Sequence, residues 1–437
     1  MGAGAAYVIG ADGRPPLSVL DKGAVGDGVT DDTRAVQMAI DEASRSRRPL
    51  IVPPGRYVVE APIMVRGVAG FELDMQGAFV RKPNSAQQPL LSFVKCRNMH
   101  CRSIRLDGNV VGNRRATDDG GSVPFDEVSH SLRLDQCQDV RIDLLESVDP
   151  TGDVLYLAGG DGANERVSIE RIVATSSIHS GRNVVSIVAG EDLKFGDVYG
   201  FNVGYPHTSP AMPGGFLIEP NRGDRVDGVS LRSATISTAG ATGLGVIAAF
   251  GSPVNDVRVG RFSLSKLQGA PVEGCDVHIR GAQNVRIELV EVSRAVGVST
   301  QVLAIDDARH IRVGLVADRI GPRGVSLGQR AGVENLQLTG ALTGGEGNLI
   351  DVYGLSQSSI AMTLRDPGVN SGLISKAVSG RSTGVRISGD LSRGARGAFG
   401  IGGPGDVEGW KLEGVQLKGW PKGTACRFVD DGSAQVM

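Results

Sequence analysis

Val140–Val148 reads VRIDLLESV, and 27 residues further on Val167–Thr175 reads VSIERIVAT. The pattern continues as LKFGDVYG from Leu193, VSLRSATIS from Val229, VRVGRFSLS from Val257, VRIELVEVS from Val285 and IRVGLVADR from Ile311, at spacings of 26, 36, 28, 28 and 26 residues. A second series lies between: VLYLAG from Val154, VVSIVAG from Val184, FLIEPN from Phe216, LGVIAA from Leu244, DVHIRG from Asp276, VLAIDD from Val302 and GVSLGQ from Gly324. Each segment alternates apolar with polar residues between Gly, Asn or Asp, the pattern of a short strand bounded by tight turns. No helical periodicity of adequate length separates these strands, which excludes a βαβ fold here. Strands recurring once per period pair in parallel, about 4.8 Å apart, when the chain coils. A left-handed hexapeptide helix repeats over a much shorter span, and propeller blades over about 40 residues. The spacing therefore predicts an all-β chain wound as a right-handed parallel β-helix.

Composition agrees. The 437 residues include 63 glycines, while aromatics are only 4%. That suits a narrow aliphatic core with many turns better than a layered globule filled by aromatics. Net charge is −2 with 46 basic and 48 acidic residues, well mixed. No basic stripe interleaved with aromatics is present, so nucleic acid is not an expected partner. No stretch approaches 18 apolar residues, so no transmembrane helix is expected. Met1–Gly10 lacks a basic n-region followed by an apolar core, so no signal peptide is expected. Cys96, Cys101, Cys137, Cys275 and Cys426 form no CxxC pair and read as small buried hydrophobes, neither a zinc site nor a disulfide framework. Nothing in the sequence implies a cofactor or a metal.

Val19–Val59 reads VLDKGAVGDGVTDDTRAVQMAIDEASRSRRPLIVPPGRYVV. This resembles the opening segment of the pectate-lyase-like β-helix superfamily, in which a GDGxTDDTxAxQxAID stretch precedes a Pro-Pro-Gly-x-Tyr strand. The resemblance implies polysaccharide lyases, polygalacturonase-like hydrolases, alginate epimerases and phage tailspike depolymerases as kin. It also implies an extracellular or virion-associated setting and, by analogy with tailspikes, a homotrimer. No coiled-coil heptads follow residue 420. Asp31, Asp32 and Thr33 can cap a short helix running to about Ser44, whose Val36, Ala39 and Ile40 can plug the open end of the solenoid. GAVGDG lacks the Gly-Lys-Ser/Thr ending and βαβ setting of a phosphate loop. The expected organisation is a cap and first strand over residues 1–60, a solenoid over 61–420 and a C-terminal cap over 421–437.

In the second series Leu157, Ile187, Ile218, Ile247, Ile279, Ile305 and Leu327 align as inward residues, so their neighbours face out. The outward pairs include Tyr156 with Ala158, Val246 with Ala248, His278 with Arg280, and Ala304 with Asp306; the preceding strand SLRLDQ adds Arg133 and Asp135. The long spacing after Leu193 places extra residues in GFNVGYPHTSPAMPGG, Gly200–Gly215, a surface loop carrying Tyr205 and His207. Beside it GGFLIEPN sets Glu219 before Pro220 and Asn221, an Ile-Glu-Pro-Asn turn of a kind that recurs in the superfamily. Leu217 stands two positions earlier, where those relatives imply an acid. Asp153, Asp161 and Asp224 occupy turns bordering the same face, whereas Asp27 and Asp107 read as ordinary turn residues.

These side chains give two chemistries. Glycoside hydrolysis needs a pair of carboxyl groups about 5 Å apart for retention or about 6.5–9.5 Å for inversion. Glu219, Asp224, Asp161, Asp153 and Asp306 are its candidates, with Arg280, His278, Tyr205, His207, Tyr156, Arg133, Asp135 and Asn221 as sugar contacts. A lyase needs a base beside a uronate carboxylate and positive charge for the enolate; Tyr205, His207, His278 and Arg280 could supply these. No calcium-type carboxylate cluster stands on this face. The leading expectation is polysaccharide hydrolysis in a groove along the coils. Lyase chemistry, or a non-catalytic carbohydrate-binding fibre, is the alternative.

Overall fold

The computed structural model describes residues 15–117, 120–206, 212–272 and 274–365, then the short strand segments 374–376, 382–392, 399–401, 407–408, 411–412 and 416–418. Residues 421–437, expected as the C-terminal cap, and Cys426 lie outside the described residues. The chain is a right-handed parallel β-helix, and its residues fall into two compact units. The first runs to Tyr205 and includes Gly223–Ser230; the second comprises Pro206–Arg222 and the chain from Leu231 onward.

In the first unit the short strands Ile63–Arg66, Leu91–Val94, Leu132–Asp135, Leu155–Ala158 and Val185–Ile187 pair in parallel, register by register. The long strands Arg97–Asp107, Gln138–Val148, Asn164–Ser180 and Gly190–Val203 form a second parallel stack. Val140 pairs with Val167 and Ile142 with Ile169, as the repeat spacing requires. Leu134, Leu157 and Ile187 stack inside with no exposure. Each such side chain contributes roughly 1.5–3 kcal/mol by leaving water.

The helix Thr33–Ser46 packs Val36, Ala39 and Ile40 inward, all essentially unexposed. Its N-terminus departs from the sequence expectation. Asp32 is the capping residue by position, yet its carboxylate makes no cap bond. It is buried and accepts the Val25 and Gly26 amides at 2.6 and 3.0 Å. Asp31 instead accepts from the Thr33 amide. The loop GAVG folds over Asp32, and satisfying two loop amides with one buried carboxylate outweighs capping one helix end.

In the second unit Gly214–Ile218, Thr242–Ile247, Cys275–Arg280, Gln301–Asp306, Val325–Leu327 and Ile350–Val352 form the short-strand stack. One register differs from expectation. Ile218 pairs with Val246, and Val246 with Ile279. Val246 is thus the inward residue of its strand, and Gly245 and Ile247 face outward. LGVIAA is apolar at both Val246 and Ile247, so alternation alone cannot choose between them. Outward Ile247 is still covered, because it clusters with Leu217 and Ala249.

Among the described residues Cys96, Cys101, Cys137 and Cys275 are buried free thiols. No described helix is long and apolar enough to cross a membrane.

Candidate functional site

The short-strand face of the first unit collects most of the unusual polar chemistry. Strand register sets it up. Leu132 pairs with Leu155 and Leu155 with Val185, so the residues two before each strand, His130, Asp153 and Asn183, stack on successive coils. One outward position inside the strands carries Arg133, Tyr156 and Ser186 in the same register.

Asp153 is fully buried and His130 nearly so. Asp153 Oδ1 accepts from the Asn183 amide at 3.0 Å and from its side chain at 3.1 Å. Its Oδ2 lies 3.2 Å from His130 Nδ1 and 3.6 Å from Arg182 but makes no well-directed hydrogen bond. Burial pushes the Asp153 carboxyl upward, but Arg182, His130 and the Asn183 amide outweigh it and hold the group below its ordinary value. The His130 ring stacks flat on Tyr156, with centroids 4.1 Å apart and planes 4° apart. Burial, reinforced by the Asp153 charge, raises the Tyr156 phenol, which keeps its proton at neutral pH.

Next to this cluster is a concavity of about 430 Å³, lined among others by Arg66, Ser92, Lys95, Arg133, Asp135 and Asp161. Arg133 Nη2 bonds Asp135 at 2.8 Å. Lys95 and Gln136 sit in left-handed backbone at equivalent turns and both line the pocket. Among the buried side-chain atoms without a hydrogen-bond partner on this unit, Arg133 Nε belongs to a pocket-lining residue, and Arg182 Nε and Asp153 Oδ2 to the His130–Asp153 cluster. Native interiors seldom leave such groups orphaned.

The sequence-derived candidates separate accordingly. Arg133, Asp135, Tyr156 and Asp161 are brought together. Asp153 belongs to the same region but is sealed from solvent, which excludes direct contact with a sugar and corrects its expected catalytic role. Asp224 is buried, and its Oδ1 accepts from the Gly160 amide at 2.8 Å. A Cβ at Gly159 would fall 2.2 Å from its Oδ2, so Asp224 packs over that turn. Tyr205 packs against Phe125, with ring centroids 5.8 Å apart and planes tilted by 36°. His207 lies outside the described residues.

The remaining candidates are in the second unit. Glu219 is half-buried just past its strand, and the Asn221 carbonyl accepts from Ser252 Oγ at 2.6 Å. Asp306 is buried and accepts the Arg330 amide at 2.9 Å, again a turn-closing role. His278 and Arg280 face outward in register with Ala304 and Asp306. Burial, with Arg280 nearby, lowers the His278 imidazole to about 4, so it is neutral at pH 7. Sequence reasoning missed His130, Arg182 and Asn183. Extending the strand alignment two residues upstream, to HS-LRLD, GDV-LYLA and RNV-VSI, would have placed His130, Asp153 and Asn183 in one column. No group of three or more His, Cys, Asp or Glu is disposed to hold a metal among the described residues.

Comparison with known proteins places this geometry in context. Residues 17–89 match a family model described as rhamnogalacturonase A/epimerase, pectate lyase-like. No curated protein sequence matches. Among solved structures, the mannuronan C-5 epimerase AlgE6 A-module of Azotobacter vinelandii is 14% identical (TM-score 0.44), covering 93% of this chain and 100% of its own. An exopolygalacturonase of Yersinia enterocolitica is 12% identical (TM-score 0.46, 92% and 79% covered). The surface adhesin PfbA of Streptococcus pneumoniae is 13% identical (TM-score 0.47, 92% and 91% covered). At such identities the likeness is one of fold, which leaves chemistry to be argued from the site.

Proposed function

We propose, for a chain of the pectate-lyase-like parallel β-helix superfamily, that it cleaves a polysaccharide on the outward face of its first unit, with Asp135 and Asp161 as the carboxyl pair. One observation carries this reading: both acids line a single pocket together with Arg133. Asp153, Asp224 and Asp306 are by contrast committed to internal bonds. Asp135, charge-paired with Arg133, serves as base or nucleophile. Asp161, exposed at the rim, is the second carboxyl of the pair. Tyr156 presents a protonated phenol beside them for a sugar hydroxyl, its ring held by the His130 stack. A parallel stack of coils offers a long shallow trough matched to a linear polymer.

The His130–Tyr156–Asp153 cluster favours a second reading, elimination from a uronate polymer. There Asp135 would take the proton beside the uronate carboxylate, Arg133 would stabilise the enolate, and the Tyr156 phenol would protonate the leaving oxygen as the C–O bond breaks. Product analysis separates the two. Incubation with a panel of bacterial exopolysaccharides should lower viscosity and release reducing ends. Hydrolysis leaves no ultraviolet-absorbing unsaturated uronate, whereas elimination does. A panel with neither change, and sugar binding alone, would make the protein a carbohydrate-binding module. Release outside the cell or on a virion, and a trimeric assembly, fit this reading and are tested by fractionation and by light scattering.

A further inference from the structure

The turns that follow the short strands of the first unit carry an inward column that the cleavage reading leaves unused. Asp135 pairs with Val94 and Gln138 with Arg97, so Cys137 stands over Cys96 on the next coil. Each cysteine follows a residue in left-handed backbone, Lys95 or Gln136, so the two turns share one shape. Parallel strands lie about 4.8 Å apart, inside the roughly 4.4–6.8 Å between Cα atoms that a disulfide spans. Both side chains have zero exposure. Asn164 is next in the column, and it shows what the position asks for. Its Oδ1 accepts the Cys137 amide at 3.1 Å, and its Nδ2 donates to the Leu134 and Ala158 carbonyls.

The thiols make only weak versions of those bonds. Cys96 Sγ donates to the Val65 carbonyl at 3.2 Å and Cys137 Sγ to the Phe93 carbonyl at 3.3 Å. An S–H group is a poor donor, so oxidation forfeits little. The two side chains also bond each other. That contact is the main cause that lowers the Cys96 thiol to about 7, against burial, and together with burial it raises Cys137. The other described cysteines are not so placed. Cys101 pairs with Ile142 and Leu73, and Cys275 pairs with Gln301. Burial raises both of their thiols.

We infer that Cys96 and Cys137 form an oxidation site, at which a small peroxide converts two stacked thiols into a disulfide that ties neighbouring coils together. The cross-link would lie directly behind the pocket wall made by Val94, Lys95, Asp135 and Gln136. The Cys96 thiolate attacks one peroxide oxygen and the O–O bond breaks. Hydroxide leaves, takes up the proton released by Cys96 and becomes water, while Cys96 becomes a sulfenic acid. Cys137 sulfur then attacks Cys96 Sγ. The S–S bond forms as the S–O bond breaks, and the Cys137 proton departs with the oxygen as a second water. Each sulfur gives up one electron, and the peroxide takes both. A peroxide is close to water in size, which suits sulfurs that no bulky oxidant can touch. The inference is independent of the cleavage reading.

The test treats the folded chain with hydrogen peroxide, removes the peroxide with catalase, and only then unfolds and alkylates it. The number of alkylated sulfurs should fall from five by two. A digest run without reductant should contain one cross-linked peptide, joining Cys96 to Cys137, that a reductant separates. The cross-linked chain should unfold several degrees higher, because closing a loop of about 40 residues restricts the unfolded chain. Cys96→Ser and Cys137→Ser should each abolish the cross-link, and Cys275→Ala should behave as wild type. An unchanged alkylation count, a cross-link joining other cysteines, sulfinic acid on Cys96 with Cys137 still alkylated, or a lowered unfolding midpoint would each overturn the inference. The wild-type peptide map decides it even if a serine variant fails to fold.

Discussion

The two units build the same short-strand stack and use it differently. Both fill the inward column with apolar side chains at or near zero exposure. In the first unit Arg133 Nε, Arg182 Nε and Asp153 Oδ2 are among several buried side-chain atoms that lack hydrogen-bond partners, whereas Ser326 Oγ is the one such buried atom among the described residues of the second. The second unit instead closes its charges on themselves. Arg294 grips Asp276 at 2.6 and 2.9 Å, Thr300 Oγ1 donates to Asp276 at 2.7 Å, and Lys266 donates to the Gly240 carbonyl, all at or near zero exposure. Burial lowers the Lys266 ammonium despite Asp276. A finished network of this kind stabilises its coils. Availability of Asp135 and Asp161 at a pocket, rather than the mere presence of acids, is the reason for proposing the first unit as the site.

The contrast can be broken in several ways. Asp161→Asn or Asp135→Asn should lower the cleavage rate by on the order of 10²–10⁴-fold with little change in thermal stability. Asp306→Asn, on the other unit, should leave the rate near wild type. Equal losses from all three would erase the distinction. Asp276→Ala should show the opposite profile: a loss of about 3–5 kcal/mol in stability, because two cations stay buried without their anion. Denaturant titration measures it, and a loss below about 1 kcal/mol would mean that the network is not structural.

A smaller effect concerns acid. His278 has its folded value lowered to about 4 from 6.5, so the unfolded chain binds the proton more readily. Its neutral burial is therefore fully tolerated above pH 6.5, and stability is lost as pH falls from there toward 4. His278→Gln should flatten that part of the stability curve relative to wild type; an unchanged difference between pH 7 and pH 4.5 would count against the burial. Smallest of all, breaking the exposed pair Arg258–Asp256, at 3.1 Å, should shift stability by about 0–1 kcal/mol.

Much of the architecture was legible because the repeat carries it. Val140, Val167 and Leu193 mark the coils by spacing alone, and the helix plug follows from Val36, Ala39 and Ile40. The exception at Val246 arose where two adjacent apolar residues made the alternation ambiguous. The site was only half legible. Arg133, Asp135 and Tyr156 follow from strand alternation and Asp161 from its bordering turn, but which acids remain available does not. Asp224 and Asp306 look like groove carboxylates in sequence and are turn-closers in space, because the amides they accept come from Gly160 and Arg330. Arg66 and Lys95 escaped notice because their strands precede the stretch in which the period is regular.

The most direct measurement is the crystal structure of Asp161→Asn soaked with an oligosaccharide that the wild-type chain cleaves. The glycosidic oxygen should lie between residue 161 and Asp135, with the sugar over Tyr156 and toward Arg66. An oligosaccharide seated instead on His278, Arg280 and Asp306 would contradict the assignment of function to the first unit.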